Sequence, residues 1–425
     1  MNKRKWWNIS NSVSLLFLVL IGLIWLYTNK KYDPNINQLT NQEQVNNYLT
    51  EKFPDIAKQR IPMGVFIQSL KFNNSSEVNL TGYVWQIYEE SKYKDFQNED
   101  IPVGFIFPEA VDSGSNVEPQ LKFRNKIDGN KEAIVWYFEV TLKQKFNYLK
   151  YPFDHKTVWI RFWSRDKGKN TVLVPSFASY KSTKKKDSFG YDRNIVLGHW
   201  RLLNTFFDYR KHKYDTGFGI YGKDYPRNQP ELYFNIVIKR RFLNSFIIYI
   251  MPIVIIACLV FATLMMITKD EKQASIFGIN TSGVIGVCSG LFFVILVSQV
   301  QIREEFAASS TVYVEFFYPL MYISLLGISV NSYLFSNTKK DKNSLLKWID
   351  YEDNIIPKLI YWPVLLGSAT IISAVILLPE GELSRLNKNQ QQSFLLDKRF
   401  SADKETRRQG NKEKLIANSQ LTPHN

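Results

Sequence analysis

Four long apolar runs fill the second half of this chain: Phe242 to Thr268, Ala274 to Ile302, Thr311 to Phe335 and Leu359 to Leu378. A helix needs about 20 mainly apolar residues to cross the ~30 Å hydrocarbon core of a bilayer. Only the third run holds a charge, Glu315 near its start. Buried helices of soluble proteins are rarely so long and so free of charge, so the runs predict four membrane spans. Short polar links between them imply a compact bundle. The mean hydropathy of −0.21 is that of an ordinary soluble protein. It is an average of these runs with a polar, aromatic-rich segment from about 33 to 240. At 425 residues the chain suits two domains.

A fifth apolar run, Val13 to Tyr27, follows Lys3-Arg4-Lys5 and has the length of a signal-peptide core. The chain continues Leu26-Tyr27-Thr28-Asn29-Lys30-Lys31 with no small-x-small cleavage site. That favours an uncleaved signal anchor over a removed signal peptide, and either one exports the segment that follows. The expected organisation is a basic start with anchor or signal peptide over 1–32, an exported domain over 33–240, a bundle over 241–380 and a basic, disordered tail over 381–425. With the basic N-terminus inside, the links Lys269 to Gln273 and Asn337 to Lys358 fall in the cytoplasm and the tail falls outside. The tail's Lys398, Arg399, Arg407, Arg408, Lys412 and Lys414 run against that rule. Acidic neighbours dilute them, and late charges count for less than the first span.

The net charge of +15 is spread over Lys184-Lys185-Lys186, Lys239-Arg240-Arg241 and the tail. No nucleic-acid motif accompanies it, so it reads as solvated loops and residues near anionic lipid headgroups. Nucleic acid is not an expected partner. The two cysteines, Cys258 and Cys288, lie inside predicted spans and cannot make a disulfide in the exported domain; the four histidines, His155, His199, His212 and His424, are scattered. No metal and no cofactor are expected. There is no glycine-rich phosphate loop, nucleophile elbow or His-Glu-x-x-His helix, so catalysis is not expected either.

The exported segment reads as strands. Met63 to Phe72 and Glu77 to Tyr88 are β-branched and aromatic, with turn chemistry at Asn73-Asn74-Ser75-Ser76, which predicts a hairpin. Further runs follow at Val103 to Phe107, Ala133 to Lys143, Lys156 to Ser164, Thr171 to Leu173, Trp200 to Phe207 and Glu231 to Lys239. Short strands separated by turn residues predict a β-sandwich. Before them, Gln42 to Gln59 has helical spacing interrupted by Pro54.

Between two of these strands runs Asn147-Tyr148-Leu149-Lys150-Tyr151-Pro152-Phe153-Asp154. This stretch resembles the loop that gives the pentameric ligand-gated ion channels, the Cys-loop receptor family, their name. There an aromatic precedes Pro-Phe-Asp between two cysteines; Tyr151-Pro152-Phe153-Asp154 fits, with Gln144 and Val158 where the cysteines would stand. Loss of that disulfide is usual in the prokaryotic branch. Arg240 precedes Pro252 by twelve residues, as in the family's first span. Trp85 on the second strand and Leu359-Ile360-Tyr361-Trp362-Pro363 at the last span are also similar. The resemblance covers about residues 60 to 380.

The resemblance implies an exported all-β sandwich of immunoglobulin-like topology followed by a four-helix transmembrane bundle, with an extra N-terminal signal-anchor helix. It implies a homopentamer in the plasma or inner membrane, surrounded by lipid and gated by a small-molecule ligand or a proton, that passes an inorganic ion. Asp154 and Arg240 would meet where the sandwich rests on the bundle, with Glu77 as a second carboxylate, and transmit movement to the helices. Ser282, Ser289, Phe292, Leu296 and Gln299 would line the pore, Phe292 and Leu296 forming its gate. Trp85, Tyr180, Tyr214, Phe218 and Tyr221 would surround a ligand at the subunit interface. The second span also departs from the family, with Gly283, Gly286 and Gly290 at close-packing spacings and no carboxylate within it. A non-conducting membrane-anchored sensor of the same architecture therefore stays open.

Overall fold

The computed structural model describes residues 3–30, 38–53, 59–89, 104–111, 118–165, 171–184, 187–212, 214, 216, 230–270, 272, 275–276, 280–307, 311–337 and 348–378. A β-rich part lies between one long N-terminal helix and four long apolar helices. Among the described residues, five helices are long and apolar enough to cross a membrane.

The hairpin forms where the turn chemistry places it, β1 (Gln59–Phe72) pairing antiparallel with β2 (Glu77–Glu89). Burial alternates residue by residue along β2, so one face meets a core while the other stays partly wet. β2 also pairs with β6 (Lys131–Lys143), which carries β4 (Ala110–Val111) and β5 (Gln120–Asp128). β8 (Thr171–Pro175) runs parallel to β1 and completes a six-stranded sheet. A four-stranded sheet has the order β3 (Phe105–Ile106), β7 (His155–Ser164), β10 (Pro230–Arg240) and β9 (Trp200–Lys211). One apolar cluster joins Val65, Leu80, Val84 and Phe138 of the first sheet to Val158, Ile160, Phe207, Phe234 and Ile236 of the second. α2 (Gln42–Lys52) adds Val45 and Leu49 to the same cluster. Its start is fixed by Asn41, whose Oδ1 accepts from the Gln44 N–H at 2.9 Å.

The apolar runs become α3 (Phe242–Met265), α4 (Thr281–Glu305), α5 (Tyr313–Asn337) and α6 (Ile355–Leu377). In α3 a π turn over Phe246–Ile250 precedes Pro252. The wider turn accommodates a residue that has no N–H and whose ring would clash with the carbonyl four positions back. α4 starts later than its run, at Thr281, because Asn280 Oδ1 caps the Gly283 N–H at 2.8 Å. The N-terminal helix α1 (Lys3–Lys30) is a larger difference: at 28 residues it is about 42 Å long at 1.5 Å per residue. It is long and apolar enough to cross a membrane, where the sequence marks only a short apolar core. Ser10, outside the apolar run in sequence, donates to Leu359 O of α6, and Asn11 and Ser14 line a cavity shared with α3, α5 and α6.

Candidate functional site

The loop between β6 and β7 descends from the sheets into the helices. Tyr148, Tyr151 and Phe153 are buried within the helices' apolar cluster. Tyr151 lies 4.7 Å from the Phe306 ring and 5.7 Å from that of Tyr249, and Tyr148 lies 5.0 Å from Phe306. Phe153 stacks on Phe242 at 5.0 Å, at the start of α3. Backbone ties fix the loop: Tyr313 N–H donates to Leu149 O at 2.8 Å, and Phe153 N–H to Lys150 O at 2.7 Å. The Tyr151–Pro152 peptide is cis. At the loop's base the buried Gln144 donates its amide to Trp159 O and accepts the Trp159 N–H at 3.3 Å. A side-chain amide thus closes the loop at its base, beside Val158.

Asp154 and Arg240 meet at this junction. Arg240 Nε donates to Asp154 Oδ1 at 2.8 Å, and Asp154 is 4% exposed. The guanidinium lies over the rings of Trp200 (4.2 Å) and Tyr151 (4.6 Å). A second cation joins them: Lys156 Nζ is 3.0 Å from Asp154 Oδ2, donates to Asn147 O and lies 3.7 Å from the Tyr148 ring centre. Burial alone would raise the Asp154 pKa, but Arg240 and Lys156 together hold it below the ordinary carboxylate value. Lys156 escaped the sequence reading, yet the period of a strand puts residues 154 and 156 on the same side.

Glu77 does not join this group. It opens β2, and the turn before it folds Asn74 back so that Asn74 Nδ2 donates to Glu77 Oε2 at 2.8 Å. The second carboxylate acting on Arg240 is Glu305 at the end of α4, which accepts from Tyr249 OH.

The proposed ligand aromatics fall into two groups. Trp85 lies on Gly64, where a Cβ would come within 2.1 Å of the indole, and its Nε1 donates to Ser179 Oγ at 3.1 Å. Tyr180 sits 5.6 Å from Trp85, but its hydroxyl donates to Val65 O (3.0 Å) and accepts Val65 N–H (2.7 Å). Its polar end is committed to β1. Tyr214, three residues beyond β9, bonds to side chains of the four-stranded sheet, donating to Glu231 Oε1 at 2.5 Å and accepting from Arg161 Nη1 at 3.1 Å. Arg161 also pairs with Glu231 (3.0 Å) and Glu109, and Trp163 Nε1 donates to Glu231 Oε1 at 2.7 Å. Burial raises the Glu109 pKa even with Arg161 beside it. Phe218 and Tyr221 lie outside the described residues.

On α4 the residues turned toward the rest of the chain are Val284, Cys288, Ile295 and Ile302, spaced by four and seven. Ser282, Ser289 and Leu296 are exposed. Phe292 and Gln299 are rotated toward α5: Phe292 lies 5.3 Å from Tyr322, whose hydroxyl donates to Gln299 Oε1 at 2.7 Å. Phe293, 64% exposed against 41% for Phe292, and Val300 stand on the free face instead. Phe292 is thus exposed as well, while its ring and the Gln299 amide both reach Tyr322 of α5.

Searches with models of known protein families and against curated proteins find no match to this chain.

His155 gives the junction a pH signature. It pairs across the ladder with Lys239, between Asp154 and Lys156 in sequence. Burial, then the charge of Lys239, lowers its pKa from 6.5 to about 4. The folded state therefore favours the neutral ring: the stability this gives is full above about pH 6.5 and is lost as pH falls toward 4. The ring is partly solvated, which discounts the effect to about 1–2 kcal/mol. The melting temperature of the wild type is expected to fall across that window and that of His155→Gln to fall less, as read by pH-dependent melting in detergent.

Proposed function

We propose that this chain is one subunit of a homopentameric ion channel of the pentameric ligand-gated type. A ligand or a proton would act on an exported β-sandwich of immunoglobulin-like topology and open a pore lined by α4 for an inorganic ion. The observation that carries this reading is the buried Asp154–Arg240 pair. It joins the loop that enters the bundle to the last residue of β10, two positions before α3 begins. β7 and β10 are neighbours in the four-stranded sheet, so the pair ties the loop to the strand that leads into α3, and a movement of that sheet against the helices would bear on both.

Two further features support it. The aromatic groups around Trp85 and around Tyr214 lie on different sheets, as expected if each supplies one wall of a pocket between neighbouring subunits. Arg161, Glu109 and Glu231 line the second wall with charge of both signs. On the outward face of α4, Ser282 and Ser289 followed by Phe293, Leu296 and Val300 place small hydroxyls before an apolar stretch. An apolar ring of this kind gates by dewetting.

The alternative is a sensor of the same architecture that does not conduct. Gly286 and Gly290 favour it, because a Cβ at either would meet nothing within 4 Å. Neighbouring copies of α4 could then approach closely and shut the axis. Native mass measurement of the detergent-purified protein tests the shared premise: five copies are expected, and a monomer or dimer as the largest species contradicts both readings.

A further inference from the structure

α1 and α6 run side by side in parallel register. Ser10 Oγ donates to Leu359 O at 2.5 Å, an offset of 349 positions. Within about a residue of that offset lie the Lys3–Glu352 ion pair (3.7 Å) and the contact of Phe17 with Gly367. A Cβ on Gly367 would come within 3.3 Å of the Phe17 ring, so the absence of a side chain there makes room for α1. Thr370 Oγ1 reaches Phe17 O at 3.5 Å. Asn11, Ser14, Leu15 and Leu18 close one wall of a 570 Å³ apolar cavity whose other walls come from α3, α5 and α6. A leader removed after export would need none of these fitted contacts.

At its far end α1 reaches the junction. Trp25 Nε1 donates to Tyr313 OH at 2.8 Å, and that hydroxyl also meets Ser373 Oγ at 2.6 Å. The Trp25 ring is 5.6 Å from Phe153 of the loop, 5.8 Å from Phe242 and 6.4 Å from Phe246. One indole thus touches the loop and the openings of α3 and α5. The last turn of α1 receives Lys239, whose Nζ donates to Asn29 O at 2.5 Å. A cation at a helix C-terminus meets the negative end of the dipole. Lys239 is also the residue before Arg240.

We propose that α1 is a permanent fifth stave of the bundle and that Trp25 is a positioning residue for the junction loop, holding Phe153 against α3 and α5. α6 fixes the height of α1, α1 fixes Trp25, and Trp25 fixes where the loop presents Asp154 to Arg240. The structural part stands by itself; its effect on gating rests on the channel reading.

The test uses the full chain purified from membranes. Intact mass is expected to retain α1; a mature chain beginning beyond Tyr27 overturns the proposal. In a Cys258→Ser, Cys288→Ser background, Phe17→Cys with Gly367→Cys is expected to cross-link through a short bifunctional thiol reagent, since the Gly367 backbone faces the tip of the Phe17 ring. Failure to do so in a protein that melts like its parent overturns the parallel register. Trp25→Phe keeps a ring and loses the donor, and Tyr313→Phe loses the acceptor, so their melting shifts are expected to be non-additive in the double variant; additive shifts overturn the hydrogen bond as the fixing contact. Where current is recorded, Trp25→Ala is expected to move the activation midpoint about tenfold at unchanged unitary conductance, with Trp25→Phe recovering part of the shift. An unmoved midpoint in Trp25→Ala overturns the positioning role. If no stimulus opens the wild type, the channel reading fails while intact mass, cross-linking and the melting cycle still decide the stave.

Discussion

Asp154→Asn is expected to lower the stability of the folded protein by about 3–5 kcal/mol, the cost of removing one partner from a buried ionic group. The amide fills the same space, so the loss is electrostatic: Lys156 and Arg240, both buried, lose the carboxylate they share, and Arg240 keeps only the influence of Glu305. Thermal melting in detergent measures it. Because the folded pKa of Asp154 lies below the ordinary value, its stabilisation is present above about pH 4 and is lost only as pH falls through that lower folded value. Lys156 also changes what a charge swap can do. Asp154→Arg with Arg240→Asp places an arginine beside Lys156, so the swap alone is expected to restore little; adding Lys156→Met is expected to restore more. Equal recovery with and without Lys156→Met would show that the lysine is a bystander.

Arg161→Met is expected to cost a similar amount, about 3–5 kcal/mol, and to reverse the sign of the pH response. Arg161 neutralises two carboxylates, Glu109 and Glu231, whose side chains are 14% and 7% exposed. Without it both must stay charged beside each other or take up protons. The Glu109 pKa, already raised by burial, rises further. A raised acid pKa stabilises the fold below the unfolded value and loses that stabilisation as pH rises through the folded one. The variant is therefore expected to melt at higher temperature as pH drops from 7 toward 5, whereas the wild type, through His155, melts lower. Parallel pH–melting curves for the two proteins would contradict this account of the cluster.

Where physical signals are local, the sequence carries the fold well. Apolar length marks α3 to α6, although α4 starts seven residues later than its run, and alternation marks β2 and β7. The contact of Asp154 with Arg240 was expected only through the resemblance of the loop and of the Arg240–Pro252 spacing to a known family; no local pattern pairs residues 86 positions apart. β5 was not, since Lys122, Arg124 and Lys126 make it look like a loop; it is an edge strand, where such charges block further pairing. The true length of α1 was hidden by Ser10, Asn11 and Ser14, whose acceptability depends on neighbours distant in sequence. Glu77 is the opposite case: at the start of β2 it takes a local partner, Asn74, that no strand pattern signals. The contact of Gln299 with Tyr322 is one that no periodicity within α4 reports.

The central claim is that the junction of Asp154, Arg240 and Lys156 couples the strands to a pore formed by five copies of α4. Current through purified, pentamer-confirmed protein in a planar bilayer, recorded across pH and a screen of cationic and anionic ligands, tests it most directly. The wild type is expected to open under at least one condition, and Asp154→Asn to need a stronger stimulus at the same unitary conductance. A wild type that stays silent under every condition as a confirmed pentamer, or an Asp154→Asn variant that opens at the wild-type midpoint, would contradict it.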